Sequence, residues 1–350
     1  MTESFTPIAA PAGLKHDQPT SHSVDPTRPP LVAWLQPLLI AMLTAAAFIG
    51  MYVGLQRDPT PRGIPVAVIG GDLAGQVSAA LGDAVKVTVA ADAVAGDGLV
   101  AGRDVVAVLA KTSPTALTLD AAGANGPSTV GALETLVGIY GRSTGSEVII
   151  TDVNPLVRYD SRGTVGFHVA FGVSLASFIL AQMLTMSAAF VRSRHHLIAT
   201  AVFAALVGVM ASLLAGPLLG ALPGNIVSLA VTLAMLSAAT ALATMALGAW
   251  FGAVGFPIAT LLLITVGNAT SGATIGADLL PDFAGVLSEV LPPGAAVRSI
   301  TDVSYFGGAH QWAGWLVLIA WIGVGGGLTV IKSRRRATKS RCVERGGTMI

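Results

Sequence analysis

Residues Asn225–Trp250 read NIVSLAVTLAMLSAATALATMALGAW. No charged side chain interrupts the run. As a helix it would reach about 39 Å at 1.5 Å per residue, more than the ~30 Å hydrocarbon core of a bilayer. The absence of charge spreads outward in both directions. From Ser161 to Ala277 there is no acidic residue, and the only basic ones are Arg162, Arg192 and Arg194. A water-facing surface cannot be built from such a stretch. Lipid tolerates it, because a charge at the bilayer centre costs roughly 2.5–3.5 kcal/mol even on insertion scales. The whole chain agrees. It has 350 residues, of which 11% are charged, against about 25% in soluble domains, and its mean hydropathy is +0.72.

Around that run lie Gly163–Val191, Leu197–Leu222, Gly255–Ser271 and Gln311–Ile331, all apolar, with Gly255–Ser271 the shortest. Leu31–Gln56 is a further uncharged run. A signal peptide would have a shorter apolar core, nearer the start and behind a basic segment, so a retained helix is expected there. The sum is an α-helical integral membrane protein with six transmembrane helices. Residues 1–30, rich in Pro, Ser and Thr, read as a disordered tail.

Residues 57–162 differ in kind. Charges return, and β-branched runs at Ile64–Ile69, Val85–Val89, Val105–Leu109, Ala116–Leu119 and Val148–Ile150 read as strands. Asp72–Leu81 and Ser128–Tyr140 read as helices, with Asp72 and Ser128 as candidate N-caps. This is a small α/β domain inserted after the first helix. Residues 163–331 form a five-helix membrane domain. Within it, 272–310 is too polar to span and too apolar for a linker. It carries Asp278, Asp282, Glu289 and Asp302 and is broken at Leu291-Pro292-Pro293-Gly294. It reads as a re-entrant or interfacial segment.

Basic residues set the orientation. The 332–350 tail holds Lys332, Arg334, Arg335, Arg336, Lys339, Arg341 and Arg345 against Glu344, and the loop after the second helix is Arg192-Ser193-Arg194-His195-His196. Both fall on the cytoplasmic side of a cell membrane, as do both termini. The α/β domain and segment 272–310 are then extracytoplasmic.

Little points to chemistry. No Gly-Lys dipeptide occurs, so the chain lacks a P-loop, and ATP could act only through a partner subunit. The six runs hold no Asp or Glu, which disfavours proton-coupled secondary transport. His168 reads as an interfacial histidine. Gly141-Arg142-Ser143-Thr144-Gly145 matches G-x-S-x-G but follows a helix and precedes a strand, the reverse of a nucleophile elbow; it reads as a helix stop. Gly96-Asp97-Gly98 with Gly102 reads as a turn. Cys342 stands alone, so neither an intrachain disulfide nor a cysteine metal site is possible. No cofactor site and no nucleic-acid site is expected.

The order of parts resembles type-2 ABC exporter permeases, in particular the YhgE/Pip-like branch. The residues that carry the resemblance are Gly267-Asn268-Ala269-Thr270-Ser271-Gly272, Leu279-Leu280-Pro281, Leu291-Pro292-Pro293-Gly294-Ala295-Ala296-Val297-Arg298 and Tyr305-Phe306-Gly307-Gly308, with Val66-Ala67-Val68-Ile69 and Gly71-Asp72 at the start of the domain. The resemblance implies a permease subunit that forms a homo- or heterodimer with another permease and is driven by a separate ABC ATPase. It implies an ATPase-docking loop at Arg192, Ser193, Arg194, His195 and His196. It implies an outer gate including Asn268, Pro281, Pro292, Pro293 and Gly294, and a substrate path between two copies. The rival reading is a non-transporting, membrane-anchored surface protein whose α/β domain binds a ligand, a phage or a secretion partner.

Overall fold

The structure, a computed structural model, describes residues 31–187 and 193–346, with side chains described for 35–187 and 194–335. The expected tail 1–30 and Arg192 lie outside the described residues. Met42–Ile350 form one compact unit, and Met1–Ala41 another.

The first helix, α1, is Leu31–Gln56. The α/β domain follows in the order β1 (Ile64–Ile69), α2 (Gly71–Leu81), β2 (Val85–Ala90), α3 (Ala93–Ala101), β3 (Ala107–Ser113), β4 (Ala116–Ala121), α4 (Pro127–Thr144) and β5 (Glu147–Asp152). The sheet order is β2-β1-β3-β4-β5. β1 runs parallel to β2 and β3, the β3–β4 hairpin is antiparallel, and β4 is parallel to β5. Alternation along the strands separates two cores. Ile64, Val66, Val68, Ala107, Leu109, Leu117 and Leu119 face α2 and α4, packing on Val77, Leu133 and Val137. Ala67 and Val108 face the other way, with Val100 of α3, and Phe306 from far along the chain closes that second core.

Three local readings change. α2 and α4 begin at Gly70 and Gly126 N-caps with positive φ, not at Asp72 and Ser128. Pro127, whose missing N–H costs nothing at a helix start, opens α4. The Gly96-Asp97-Gly98 stretch is inside α3, not in a turn: Asp92 caps the helix by accepting from Ala95 N, and a methyl group on Gly96 would sit 2.9 Å from Val108. The glycine is there to let α3 lie against β3. Gly145, at φ 68, ends α4 as a left-handed C-cap.

The remaining helices are α5 (Val165–Met186), α6 (Ser193–Leu213, continued by a π turn Leu214–Leu218), α7 (Ile226–Phe251), α8 (Gly255–Ala259, continued by a π segment Thr260–Val266), α9 (Gly267–Ala269), α10 (Asp282–Val290), α11 (Pro292–Tyr305) and α12 (Gln311–Gly346). Among the described residues, five helices are long and apolar enough to cross a membrane: Leu35–Gln56, Val165–Met186, Arg194–Leu218, Ile226–Ala269 and Gln311–Arg335. Six were expected. The difference lies in Ile226–Ala269, whose 44 residues count as one although Gly252, at φ 63, ends α7. The expected basic tail after Ile331 is helical through Gly346, as no breaker separates it from the apolar part of α12.

α7 is the axis of the bundle. Ser177 Oγ of α5 donates to Ser237 Oγ at 2.7 Å, Thr200 Oγ1 of α6 to Met245 Sδ at 3.6 Å, and Trp315 Nε1 of α12 to Thr232 Oγ1 at 2.8 Å. Polar side chains point inward: Ser174, Ser177, Thr232, Ser237, Thr240 and Thr244 are buried. Leu175, Ile179, Met183, Val202, Leu206, Val209, Leu316, Ile319 and Val324 face out. Water would demand the opposite distribution; lipid favours this one.

A second contact in each pair fixes direction: Gly248 of α7 lies by Thr185 of α5, Gly325 of α12 by Leu242 and Ala243 of α7, and Gly208 of α6 by Ala230 and Ala234 of α7. α5, α7 and α12 run parallel, and α6 runs antiparallel to them. One end of the bundle holds Arg194 at the start of α6 and Trp250, over whose ring Lys332 Nζ and the Arg335 guanidinium lie at 4.8 and 5.5 Å. The other end holds the α/β domain, where Gly220 lies against Tyr159 and Gly224 against the backbone of Val303.

Candidate functional site

Helices α10 and α11 form a hairpin that starts near the α/β domain, descends into the bundle and returns. Its upper part is anchored at Leu280 and Ala284, which pack with Leu55 of α1 and Ala269. Its tip reaches Trp321, whose Nε1 donates to Val290 O at 2.8 Å. Trp321 lies about 15 Å along α12 from Gln311 at 1.5 Å per residue, well inside the apolar span. α11 then climbs past Gly314, against which Ala295 and Ser299 pack, to Ile300 beside Gly166 of α5.

Breaking a helix at that depth exposes carbonyl groups that lipid cannot satisfy. Here the last three carbonyls of α10 are taken by side chains. Arg298 Nη1 donates to Ser288 O at 2.7 Å and Ser288 Oγ at 3.0 Å, Arg298 Nη2 donates to Glu289 O at 3.2 Å, and Trp321 takes Val290 O. A cation at a helix C-terminus is also favoured by the helix dipole. Pro292 and Pro293 at the start of α11 lack the N–H groups that would need partners. Gly294 is required because a methyl group there would collide with Ser288 O.

Above the hairpin is a cavity of about 320 Å³ between the α/β domain and the bundle. Its frame is an ion pair: Arg103 Nη1 donates to Asp302 Oδ1 at 2.7 Å, and the Asp302 side chain is only 3% exposed. Arg103 also donates to Arg298 O at 3.1 Å and, through Nε, to Asn125 Oδ1 at 3.3 Å, and its guanidinium lies 5.3 Å over the Phe306 ring. Arg103 is the one non-glycine residue with positive φ, at 60°, among the described residues. The backbone strain is accepted where the side chain locks the domain to α11. Nearby, Tyr305 O–H donates to Asp160 Oδ2 at 3.2 Å, Asp160 Oδ1 accepts from Val165 N at 2.9 Å, and Asn154 Nδ2 donates to Tyr305 O at 2.9 Å.

Burial tunes three of these groups. It pushes the Asp278 carboxyl above the usual carboxylate range, against the opposing pull of Arg103. It lowers Arg298, with the like charge of Arg103 adding to this while Glu289 and Asp302 pull back. It raises Tyr305, helped by the adjacent Asp160.

The five residues expected at an outer gate divide. Pro292, Pro293 and Gly294 are buried at the hairpin tip. Asn268 is buried one residue from Gly267, where an added methyl would sit 2.8 Å from Pro293; its Nδ2 donates to Leu263 O and Ile264 O, and its Oδ1 meets no donor. Pro281 stands at the other end of α10, about 13 Å away along the helix. The expected loop Arg192–His196 is largely the first turn of α6, since helix begins at Ser193. Arg194 and His195 are exposed there, whereas His196 is buried with Nε2 3.5 Å from Ser187 Oγ. Ser143 Oγ donates to Tyr140 O within its own helix end, and His168 Nδ1 lies 2.7 Å from Thr164 O. Among the described residues no group of three or more His, Cys, Asp or Glu side chains could hold a metal ion. Sequence reasoning met Arg298 only as the last residue of a family-like motif and Asp302 only among the acidic residues of 272–310, and did not single out Arg103, Asn125 or Trp321. The available signal was a lone arginine six residues after Pro292 in an otherwise acidic segment.

Five helices long and apolar enough to span a bilayer, with apolar faces outward, suggest a membrane protein. No family model, curated protein or solved structure matches the chain.

Proposed function

We propose that this chain is the membrane-spanning permease subunit of an ABC-type exporter of the type-2 class, dimeric and driven by a separate ATPase subunit. The re-entrant hairpin Asp282–Tyr305 carries the reading. A polar, Pro-broken hairpin held inside an apolar bundle by Arg298 and Trp321 is costly in lipid. Its use is as a movable closure on a path that solutes follow. The chain would cross the membrane six times. After Gly252 the segments Gly255–Ala259, Thr260–Val266 and Gly267–Ala269, of 5, 7 and 3 residues, lead from Leu247 at one end of the bundle to Pro293 and Leu280 nearer the other. At about 22 Å this fifth crossing is short, and α10–α11 fills the remaining depth. Arg194, Trp250, Lys332 and Arg335 mark the cytoplasmic end, following the positive-inside rule, and the α/β domain is extracytoplasmic. The loop Arg192–His196, of which Arg194 and His195 are exposed at the start of α6, is the contact for the ATPase, and the substrate path runs between two copies. ATP is hydrolysed by the partner, not by this chain.

The test is co-expression with an ATPase encoded beside it. A stable complex, with ATP hydrolysis altered by the permease and weakened by charge reversal at Arg194, is the expected result. Absence of both complex and altered hydrolysis refutes the reading. The rival, a ligand-binding surface protein with an autonomous outer domain, is disfavoured by Phe306, which closes the second core of the sheet from beyond α5–α11.

A further inference from the structure

The cavity between the α/β domain and the bundle has a charge balance that lining residues alone do not reveal. Its three carboxylates are accounted for. Asp302 is held by Arg103, and Asp160 by Val165 N and the Tyr305 hydroxyl. Asp278, which burial raises, lies in the field of Arg103, which opposes that shift. Its cations are not all matched. Arg298 donates only to carbonyl and hydroxyl oxygens, and Arg162, exposed at the rim, makes no ion pair among the described residues.

Neutral donors point the same way. Asn125 gives its Oδ1 to Arg103, which fixes its amide orientation and leaves Nδ2 as a buried donor with no acceptor. Such a group is costly to bury unless something polar meets it. The first turn of the 18-residue α4 lines the same cavity, and its Gly126 N-cap offers no side-chain acceptor. The N–H groups of Ser128 and Thr129 therefore remain open at the positive end of that helix. The cavity is also bordered by the first turns of two membrane-spanning helices, through Gly166 and Phe167 of α5 and Ala313 and Gly314 of α12. That is the level at which the apolar spans begin.

We propose that this cavity is a binding site for a phosphate group, held by Asn125 and the α4 N-terminus, with Arg162 and Arg298 supplying the countercharge. Two guanidinium groups that make no ion pair among the described residues suit a phosphate oxyanion, and a volume of about 320 Å³ accommodates a phosphorylated headgroup but not acyl chains. The group comes either from a phospholipid of the adjacent leaflet or from a soluble phosphate compound. The inference does not rest on the permease reading, because binding is measured without transport.

The experiment uses the full chain in detergent and follows its melting midpoint. One arm titrates inorganic phosphate against chloride at equal ionic strength. The other titrates phosphatidylglycerol against an uncharged glycolipid in mixed micelles. A rise in midpoint in the first arm identifies a soluble source, and a rise confined to the second a lipid source. In either case Asn125→Asp, which keeps an acceptor for Arg103 but sets a carboxylate against the ligand, and Arg162→Gln should each weaken the half-saturating concentration by roughly tenfold or more. No stabilisation in either arm, or stabilisation that both variants retain in full, overturns the proposal. If Asn125→Asp does not fold, Arg162→Gln decides, since that side chain is at the rim.

Discussion

The carbonyl oxygens of Ser288, Glu289 and Val290 show what a single side chain is worth inside an apolar bundle. Each would be orphaned at the hairpin tip without Arg298 and Trp321. Arg298→Met keeps length and removes the donors, so it should destabilise the folded protein by about 3 kcal/mol or more, seen as a lower melting midpoint in detergent. Trp321→Phe removes one donor and should cost about 1–3 kcal/mol. Asp278 gives a pH test. Its folded carboxyl is raised by burial above the ordinary value of 3.8, so the folded state holds its proton more tightly than the unfolded chain. Stability linked to this group is present at pH below 3.8 and lost as pH rises through the folded value. Asp278→Asn should therefore raise the midpoint at pH 7, and the gain should shrink as the pH is lowered.

Helix packing in the bundle depends on small residues at particular crossings. A methyl group on Gly208 of α6 would sit 2.6 Å from Ala230 O and 2.8 Å from Ala234 N of α7, whereas nothing lies within 4 Å of the same position on Gly327. Gly208→Val should separate α6 from α7 and cost about 1–3 kcal/mol or more; Gly327→Ala should leave the midpoint unchanged or slightly raised. The two glycines differ in tertiary setting, and neither position stands out among 41 glycines in the sequence. The π segment Thr260–Val266 belongs to the same scale. Its composition reads as ordinary apolar helix, and only the structure shows the widened turns that shorten this limb.

Across the whole molecule, the α/β domain and the basic cluster around Trp250 stand at opposite ends of the bundle. In a Cys342→Ser background, Ser143→Cys on the exposed end of α4 should react with a membrane-impermeant maleimide in intact cells. Arg194→Cys should react only after the membrane is opened. The reverse pattern would invert the proposed orientation and remove the argument for an ATPase at Arg192–His196.

What the sequence determined by itself is what depends on neighbours along the chain. Uncharged runs of twenty or more residues mark the apolar helices, since lipid admits few charges over that length. Short runs of β-branched residues mark all five strands near their observed positions, because such side chains fit an extended, pleated backbone. The Pro292-Pro293-Gly294 break marks where α10 ends and α11 begins. Tertiary structure alone decided the rest. It paired Arg103 with Asp302, 199 positions apart, seated Phe306 in the sheet's second core, brought Arg298 and Trp321 to the carbonyls of α10, and enclosed the cavity beneath α4. No local pattern encodes these contacts. Each is a meeting of groups distant in sequence, selected because a buried charge or carbonyl must find a partner wherever the fold can bring one.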